Sequence, residues 1–397
     1  MTVAVTAWCA LLALAPPRRP RVLGRIAFRS GLVINELPVP ALLWLAAWTA
    51  VAFAQDDIGS PAAWAAVALA ALTAAALTVI AARAARTRPA IGRALAAAFD
   101  PASTPPPMTA TTPRGHARGH ARDRRAAAPR RRARAAALIA PLPLRGRGVR
   151  HVAGIPYRDA GRRNLLDVRH HRSRPPGGPV LVYLHGGGFT GGHRNREARP
   201  LLNRLAGRGW LCVSADYRLR PGSRFPDPLV DAKKAIAWAR AHAAEYGADP
   251  SQVFVAGSSA GAHLAAMAAL TAGDPSCQPG FEDADTTVTA AICLYGYYGE
   301  VYDDGAATSP EHHLHPGAPP FLIAHGDRDT CVPVEAARRF ARRLRETSRA
   351  PVVYAELPGA QHVFDLFRST RFAAVVDGIE TFTAQVRVAH QPRAFTK

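Results

Sequence analysis

An α/β fold is predicted for most of this 397-residue chain: a mostly parallel sheet covered by helices on both faces, preceded by N-terminal membrane helices and a flexible basic linker. Three observations predict it. From Arg150 onward, short β-branched apolar runs alternate with amphipathic stretches. Three apolar stretches fill the first 82 residues, and between these two regions the apolar periodicity gives way to Pro, Thr and Arg. The expected units are a membrane region over 1–98, a linker over 99–149 and a sheet domain over 150–390.

The apolar stretches run from Thr2 to Ala15, Gly31 to Ala54 and Ala62 to Ala82. A helix needs about 20 residues to cross the hydrocarbon layer, and the third stretch offers 21 uncharged ones. The second contains Glu36, Pro38 and Pro40, which push its spanning part toward Pro40–Ala54. The first lacks a basic start and a small-residue cleavage site, so it reads as a weak span or interfacial segment and not as a removable signal peptide. Arg18, Arg19, Arg21, Arg25 and Arg29 precede the second stretch, Arg83, Arg86, Arg88 and Arg93 follow the third, and Asp56 and Asp57 lie between. Basic flanks stay in the cytoplasm, so whether two or three helices cross, the sheet domain is expected on that side.

The net charge of +21 is unevenly spread. Residues 1–144 carry 18 Arg against five acids, and 145–397 carry 32 basic residues against 24 acids. Nine arginines fall between Arg114 and Arg134, opposed only by Asp123. Such a run is a solvated spacer or rests on anionic lipid headgroups, each arginine then contributing about 1 kcal/mol. Because the excess lies largely outside the sheet domain, a nucleic-acid partner is not expected. The five cysteines, Cys9, Cys212, Cys277, Cys293 and Cys331, form neither a CxxC pair nor a metal-ligand spacing and suit reduced thiols.

The strands expected in the sheet domain are LLDVRHH, PVLVYLHGG, WLCVSADY, QVFVAGSS, AAICLYGY, PFLIAHGD and PVVYAELPG, with helices over Asp231–Tyr246 and Val334–Thr347 between them. In VFVAGSSAGAHLAA, Gly257, Ser259 and Gly261 fill a Gly-x-Ser-x-Gly frame between a β-branched strand and an Ala-rich helix. A nucleophile on a sharp strand-to-helix turn needs close neighbours without side chains, and the helix start offers the Ala260 NH to an oxyanion. Ser258 occupies the variable position of the frame. HGGGF, His185–Phe189, ends another strand 74 residues earlier; its Gly187 and Gly188 NH groups are the other expected oxyanion donors. It lacks the Lys-Ser/Thr of a phosphate loop and does not fit a dinucleotide fingerprint.

A hydroxyl nucleophile needs a base, and the base an orienting carboxylate, in the chain order serine, acid, histidine for an elbow of this kind. HGDRD supplies Asp327 and Asp329 just past a strand, and PGAQHVFD supplies His362 past the next. Asp329 is preferred because Asp327 sits within the turn itself. His362 alone among the histidines combines a post-strand loop, a nearby glycine and the right order; His185 and His325 are expected to brace loops.

Together these residues resemble the hormone-sensitive-lipase-like branch of the α/β-hydrolases, with similarity to feruloyl-esterase-like and arylformamidase-like members. The likeness spans Val149 to Val386 and includes LLDV, DYRL, FPDPLVDAKKAIAWARAHAAEYGADP and HGDRDTCVP. It departs where DYRL continues as RPGSRFP and where Ser258 precedes the elbow serine. The resemblance implies an α/β-hydrolase fold and carboxylesterase activity through an acyl-serine intermediate, with no cofactor. The span from Ala272 to Pro320 is short for a large lid, so small or medium esters are the expected substrates. Amidase, formamidase or peptidase action uses the same triad and stays beside this reading. The alternative of another class is an inactive membrane scaffold binding anionic lipid or nucleic acid through its Arg-rich linker, against which the intact triad argues.

Overall fold

The computed structural model describes residues 2–55, 59–100, 146, 148–158, 161–302 and 304–390. Nearly all of the expected linker, with its arginine run, lies outside the described residues, as do Asp56 and Asp57. Eight strands form one sheet: β1 Val149–Pro156, β2 Leu165–His171, β3 Gly178–Leu184, β4 Leu211–Ala215, β5 Ala248–Ser258, β6 Ala290–Leu294, β7 Phe321–Gly326 and β8 Val352–Leu357. Their order is β1-β2-β4-β3-β5-β6-β7-β8. Only the β1/β2 and β2/β4 pairs are antiparallel; from β4 through β8 every pair is parallel. Seven strands coincide with the runs read from the sequence. The eighth, β1, mixes polar and apolar residues and is bulged between Val152 and Ile155, so it shows no clean alternation.

The helices are α1 Thr2–Leu14, α2 Arg21–Glu36, α3 Pro38–Ala54, α4 Pro61–Ala85, α5 Thr87–Phe99, α6 Arg199–Ala206, α7 Asp227–Ala241, α8 Ala260–Leu270, α9 Val334–Thr347 and α10 Thr370–His390. Alternate residues of β3 show how the layers form, since a strand's side chains point to opposite faces with period two. Val180, Val182 and Leu184 join a core with Leu229 of α7, Leu264 of α8 and Phe340 of α9, whereas Leu181 and Tyr183 join one with Leu202 of α6 and Phe382 of α10. Helices therefore cover both faces.

The second core also takes in Ile91 and Leu95 of α5, and a Cβ on Gly378 of α10 would lie 2.4 Å from Ile91. Segment 1–98 thus lends one helix to the sheet domain's own layer. Its apolar residues sit one turn apart in an Ala-rich stretch.

Within the expected spans, the second is broken at Leu37, where α2 and α3 meet at 82°. Pro38 stands at the first position of α3, and a proline there cannot continue the α2 hydrogen-bond ladder. Helix α4, running on into α5, is long and apolar enough to cross a membrane; the bent α2/α3 pair passes the same test only if taken as one span. Every large exposed apolar side chain among the described residues lies between Val5 and Val79, except Tyr297, Tyr302 and Val388.

Candidate active site

Strand β5 stops at Ser258, and α8 starts at Ala260, leaving Ser259 to make the whole turn at φ 55°, ψ −116°. This left-handed backbone is costly for any residue with a side chain, and it is held by packing on both sides. A Cβ on Gly257 would lie 2.1 Å from the Gly261 carbonyl oxygen, and one on Gly261 would lie 2.0 Å from that of Leu184. The glycines of the frame are therefore places where backbone touches backbone. The Ser259 NH donates to the Leu294 carbonyl at 2.9 Å, tying the turn to β6.

His362 lies on the loop after β8, and Asp329 on the loop after β7. Ser259 Oγ is 3.0 Å from His362 Nε2, and His362 Nδ1 is 2.7 Å from Asp329 Oδ2. The structure thus brings together three side chains from distant parts of the sequence. Asp329 is buried, its Oδ1 accepting the NH groups of Cys331 and Val332 at 2.8 Å each. Burial alone would raise its pKa, but the charges and hydrogen bonds of His362 and His325 hold it well below the usual carboxylate range. Burial would lower that of His362; the Asp329 carboxylate outweighs it, and the imidazole lies above its ordinary value. Asp327 has a different place: its Oδ1 accepts the Gly359 NH at 2.7 Å, bracing the histidine loop. His185 Nδ1 donates to the Gly186 carbonyl at 2.7 Å, and His325 Nε2 to that of Val332 at 3.0 Å.

HGGGF and the start of α8, where oxyanion donors were expected, lie beside Ser259. Gly187 and Gly188 have φ of 130° and 60°, conformations that favour glycine. Among the described residues, no hydrogen bond occupies the NH of Gly187, Gly188 or Ala260. A Cβ on Gly186 would lie 3.1 Å from Ser259 Cβ, so the glycine run passes directly beside the serine.

Beneath the serine lies a buried acidic layer that the sequence reading missed. Ser258 Oγ donates to Asp365 Oδ2 at 2.6 Å, Tyr183 Oη to Ser258 Oγ at 2.8 Å and Tyr295 Oη to Asp365 Oδ1 at 2.5 Å. Ser258 is thereby sealed from solvent. Glu197 accepts the Gly186 NH at 2.6 Å, fixing the glycine run. Burial pushes the carboxyls of Glu197 and Asp365 upward, and the charge of Asp365 adds to the shift of Glu197. The nearest sequence signal was Asp365 itself, three residues after His362. Among the described residues, no group of three or more His, Cys, Asp or Glu side chains is placed to hold a metal ion.

Residues 166–304 match the BD-FAE family. A probable carboxylic ester hydrolase, LipM, of Mycobacterium tuberculosis is 41% identical over 62% of this chain and 64% of its own length. The esterase LipQ of the same organism is 41% identical over 57% and 61%. The matched region thus spans just under two thirds of these relatives. Among solved structures, a butyrate-bound thermophilic esterase from Thermogutta terrifontis is 27% identical, covers 60% of this chain and 94% of its own, and superposes with a TM-score of 0.52. The same organism's esterase 2, phosphonylated by sarin, is 26% identical with a TM-score of 0.53, covering 59% and 94%.

The backbone contacts at the elbow generate a prediction. Gly261→Ala should fail to fold or melt far below the parent, because the Leu184 and His185 carbonyls occupy the space a methyl needs. Gly188→Ala meets nothing within 4 Å and should cost only the left-handed strain, about 1–2 kcal/mol. Thermal melts of the two in the same detergent check this.

In sequence and in fold the sheet domain is thus similar to known esterases.

Proposed function

We propose that this protein is a membrane-anchored serine hydrolase that cleaves carboxylic esters of small to medium size. The observation that carries the proposal is the continuous line from Asp329 through His362 to Ser259, at 2.7 and 3.0 Å. Each link lies within the reach required for proton transfer.

In the proposed cycle, Ser259 Oγ attacks the ester carbonyl while His362 Nε2 takes its proton. Asp329, which remains ionised, orients the imidazole through Nδ1 and stabilises the imidazolium. Negative charge builds on the carbonyl oxygen and is met by the NH groups of Gly187, Gly188 and Ala260. Each such donor is worth about 10²–10³ in rate because it is aimed at charge that develops only in the transition state. The imidazolium returns its proton to the leaving alkoxide, giving the alcohol and an acyl-Ser259. Water, deprotonated by His362, then releases the acid and restores the hydroxyl. Ser258 takes no part, since its hydroxyl is held between Tyr183 and Asp365.

The anchor is α4, joined by α3, with the sheet domain on the cytoplasmic side by the placement of the arginines around these helices. The exposed apolar side chains gathered between Val5 and Val79 support contact with a bilayer, because exposed apolar surface concentrated in one region marks an interaction site.

Two outcomes follow. Ser259→Ala should abolish p-nitrophenyl butyrate hydrolysis and fluorophosphonate labelling while leaving the melting temperature within a few degrees; labelling that persists would place the nucleophile elsewhere. The base acts only when neutral, so kcat/KM should fall as pH drops through the raised pKa of His362, with its midpoint above the ordinary value of about 6.5. A pH–rate profile measures that midpoint, and one well below 6 contradicts the assignment.

A further inference from the structure

Helix α2 comes from outside the sheet domain yet reaches the loop that carries His362. Its last residue, Glu36, is fully buried and accepts from Arg371 Nε at 3.0 Å and from Ser369 Oγ at 2.7 Å. The same guanidinium donates to the carbonyl oxygens of Pro358 at 2.6 Å and Gly359 at 3.3 Å, both at the base of the histidine loop. One turn apart near the other end of α2 are Gly24 and Phe28, which share a face of the helix. The Gly24 carbonyl accepts from Thr330 Oγ1 at 2.9 Å, and Gln361 Oε1 accepts the NH groups of Thr330 at 3.0 Å and His362 at 3.1 Å. Phe28 stands edge-on to the His362 ring with centroids 6.0 Å apart, and Tyr295 makes a second edge contact at 4.6 Å. From α4, the Arg83 stem fills the space over Gly359, where a Cβ would lie 2.9 Å from Arg83 Cδ.

We propose that α2 is a working part of the active site: Glu36, acting through Arg371, positions the loop of His362, and Phe28 holds the outer flank of its imidazole, so that hydrolysis requires the N-terminal helices to be docked. The inference rests on His362 being the general base. Charge and hydrogen bonding both favour it over a role in stability alone. Arg371 is wholly buried, and Glu36 is its ion-pair partner. Both loop carbonyls that this guanidinium meets belong to the segment leading into His362. Loss of the carboxylate leaves a buried cation free to turn, carrying the loop with it. The flank contact, with that of Tyr295, limits rotation of the ring away from Asp329. A displacement of about 1 Å between base and nucleophile is enough to cost about 10²-fold in rate.

The test uses the full-length protein in detergent, with active sites counted by fluorophosphonate titration so that kcat refers to folded, competent sites. Glu36→Gln should lower kcat for p-nitrophenyl butyrate by about ten- to a hundredfold with little change in KM. Glu36→Asp, which keeps the charge, should recover part of the loss. Phe28→Ala, at a half-buried position that folding tolerates better, should lower kcat severalfold, and Phe28→Leu should recover most of it. The fluorophosphonate labelling rate should fall in parallel, since it depends on the same base. If Glu36→Gln does not fold, Phe28→Ala decides. Folded variants with parental kcat per titrated site and parental labelling rate overturn the proposal, whatever their melting temperatures. A parent with no Ser259-dependent turnover overturns the hydrolase reading itself, and this inference with it.

Discussion

The contact between Gly261 and the carbonyl oxygens of Leu184 and His185 is the constraint on which the site depends. It presses the first turn of α8 against the end of β3, leaving no room for any side chain. The turn at Ser259 must then be sharp, and its hydroxyl must project above the sheet. The same approach sets the distance between the glycine run and the start of α8, since HGGGF leaves β3 at the point where Gly261 touches it. One close packing of backbone on backbone thus fixes Ser259 and the glycine run together, and the strained φ of Ser259 is sustained by the strands on either side.

Around that point the polar groups fall into two layers of opposite character. In one, Asp329 is ionised and accepts three hydrogen bonds, from the Cys331 and Val332 NH groups and from His362. In the other, Asp365 and Glu197 lie in surroundings that favour their neutral forms. Carboxyls of one chemical type are thus set to different tasks by burial and by what faces them. The second layer gives the elbow and the glycine run a hydrogen-bonded floor, with Ser258 as part of it.

Much of this was legible in the sequence because it depends on local spacing. The Gly-x-Ser-x-Gly frame, the glycine run and the order serine, acid, histidine are short patterns whose geometry follows from strand and turn periodicity. Asp329 was separable from Asp327 by its reach along the loop, and the two do occupy different places: one faces the imidazole, the other a backbone NH. What was not legible depends on contacts between distant segments. Glu197 and Tyr183 are isolated polar letters in apolar or basic surroundings, and nothing in their neighbours indicates that Asp365 will lie close by. Glu36 was read as an obstacle to a membrane span; its partner Arg371 lies over three hundred residues away, beyond the range of any periodicity. Arg25 and Arg29 marked topology equally well for a helix lying on the sheet domain or in a membrane.

The buried pair of Glu36 and Arg371 bears on how the protein can be divided. A fragment beginning at Val149 keeps Ser259, Asp329, His362 and all eight strands, yet it would leave the Arg371 guanidinium without its carboxylate partner. The guanidinium would then keep its contacts to the Pro358 and Gly359 carbonyls but lose the carboxylate that holds it against them. Trimming away the apolar N-terminal helices to gain solubility would therefore remove part of the interior as well, Ile91 and Leu95 of α5 included.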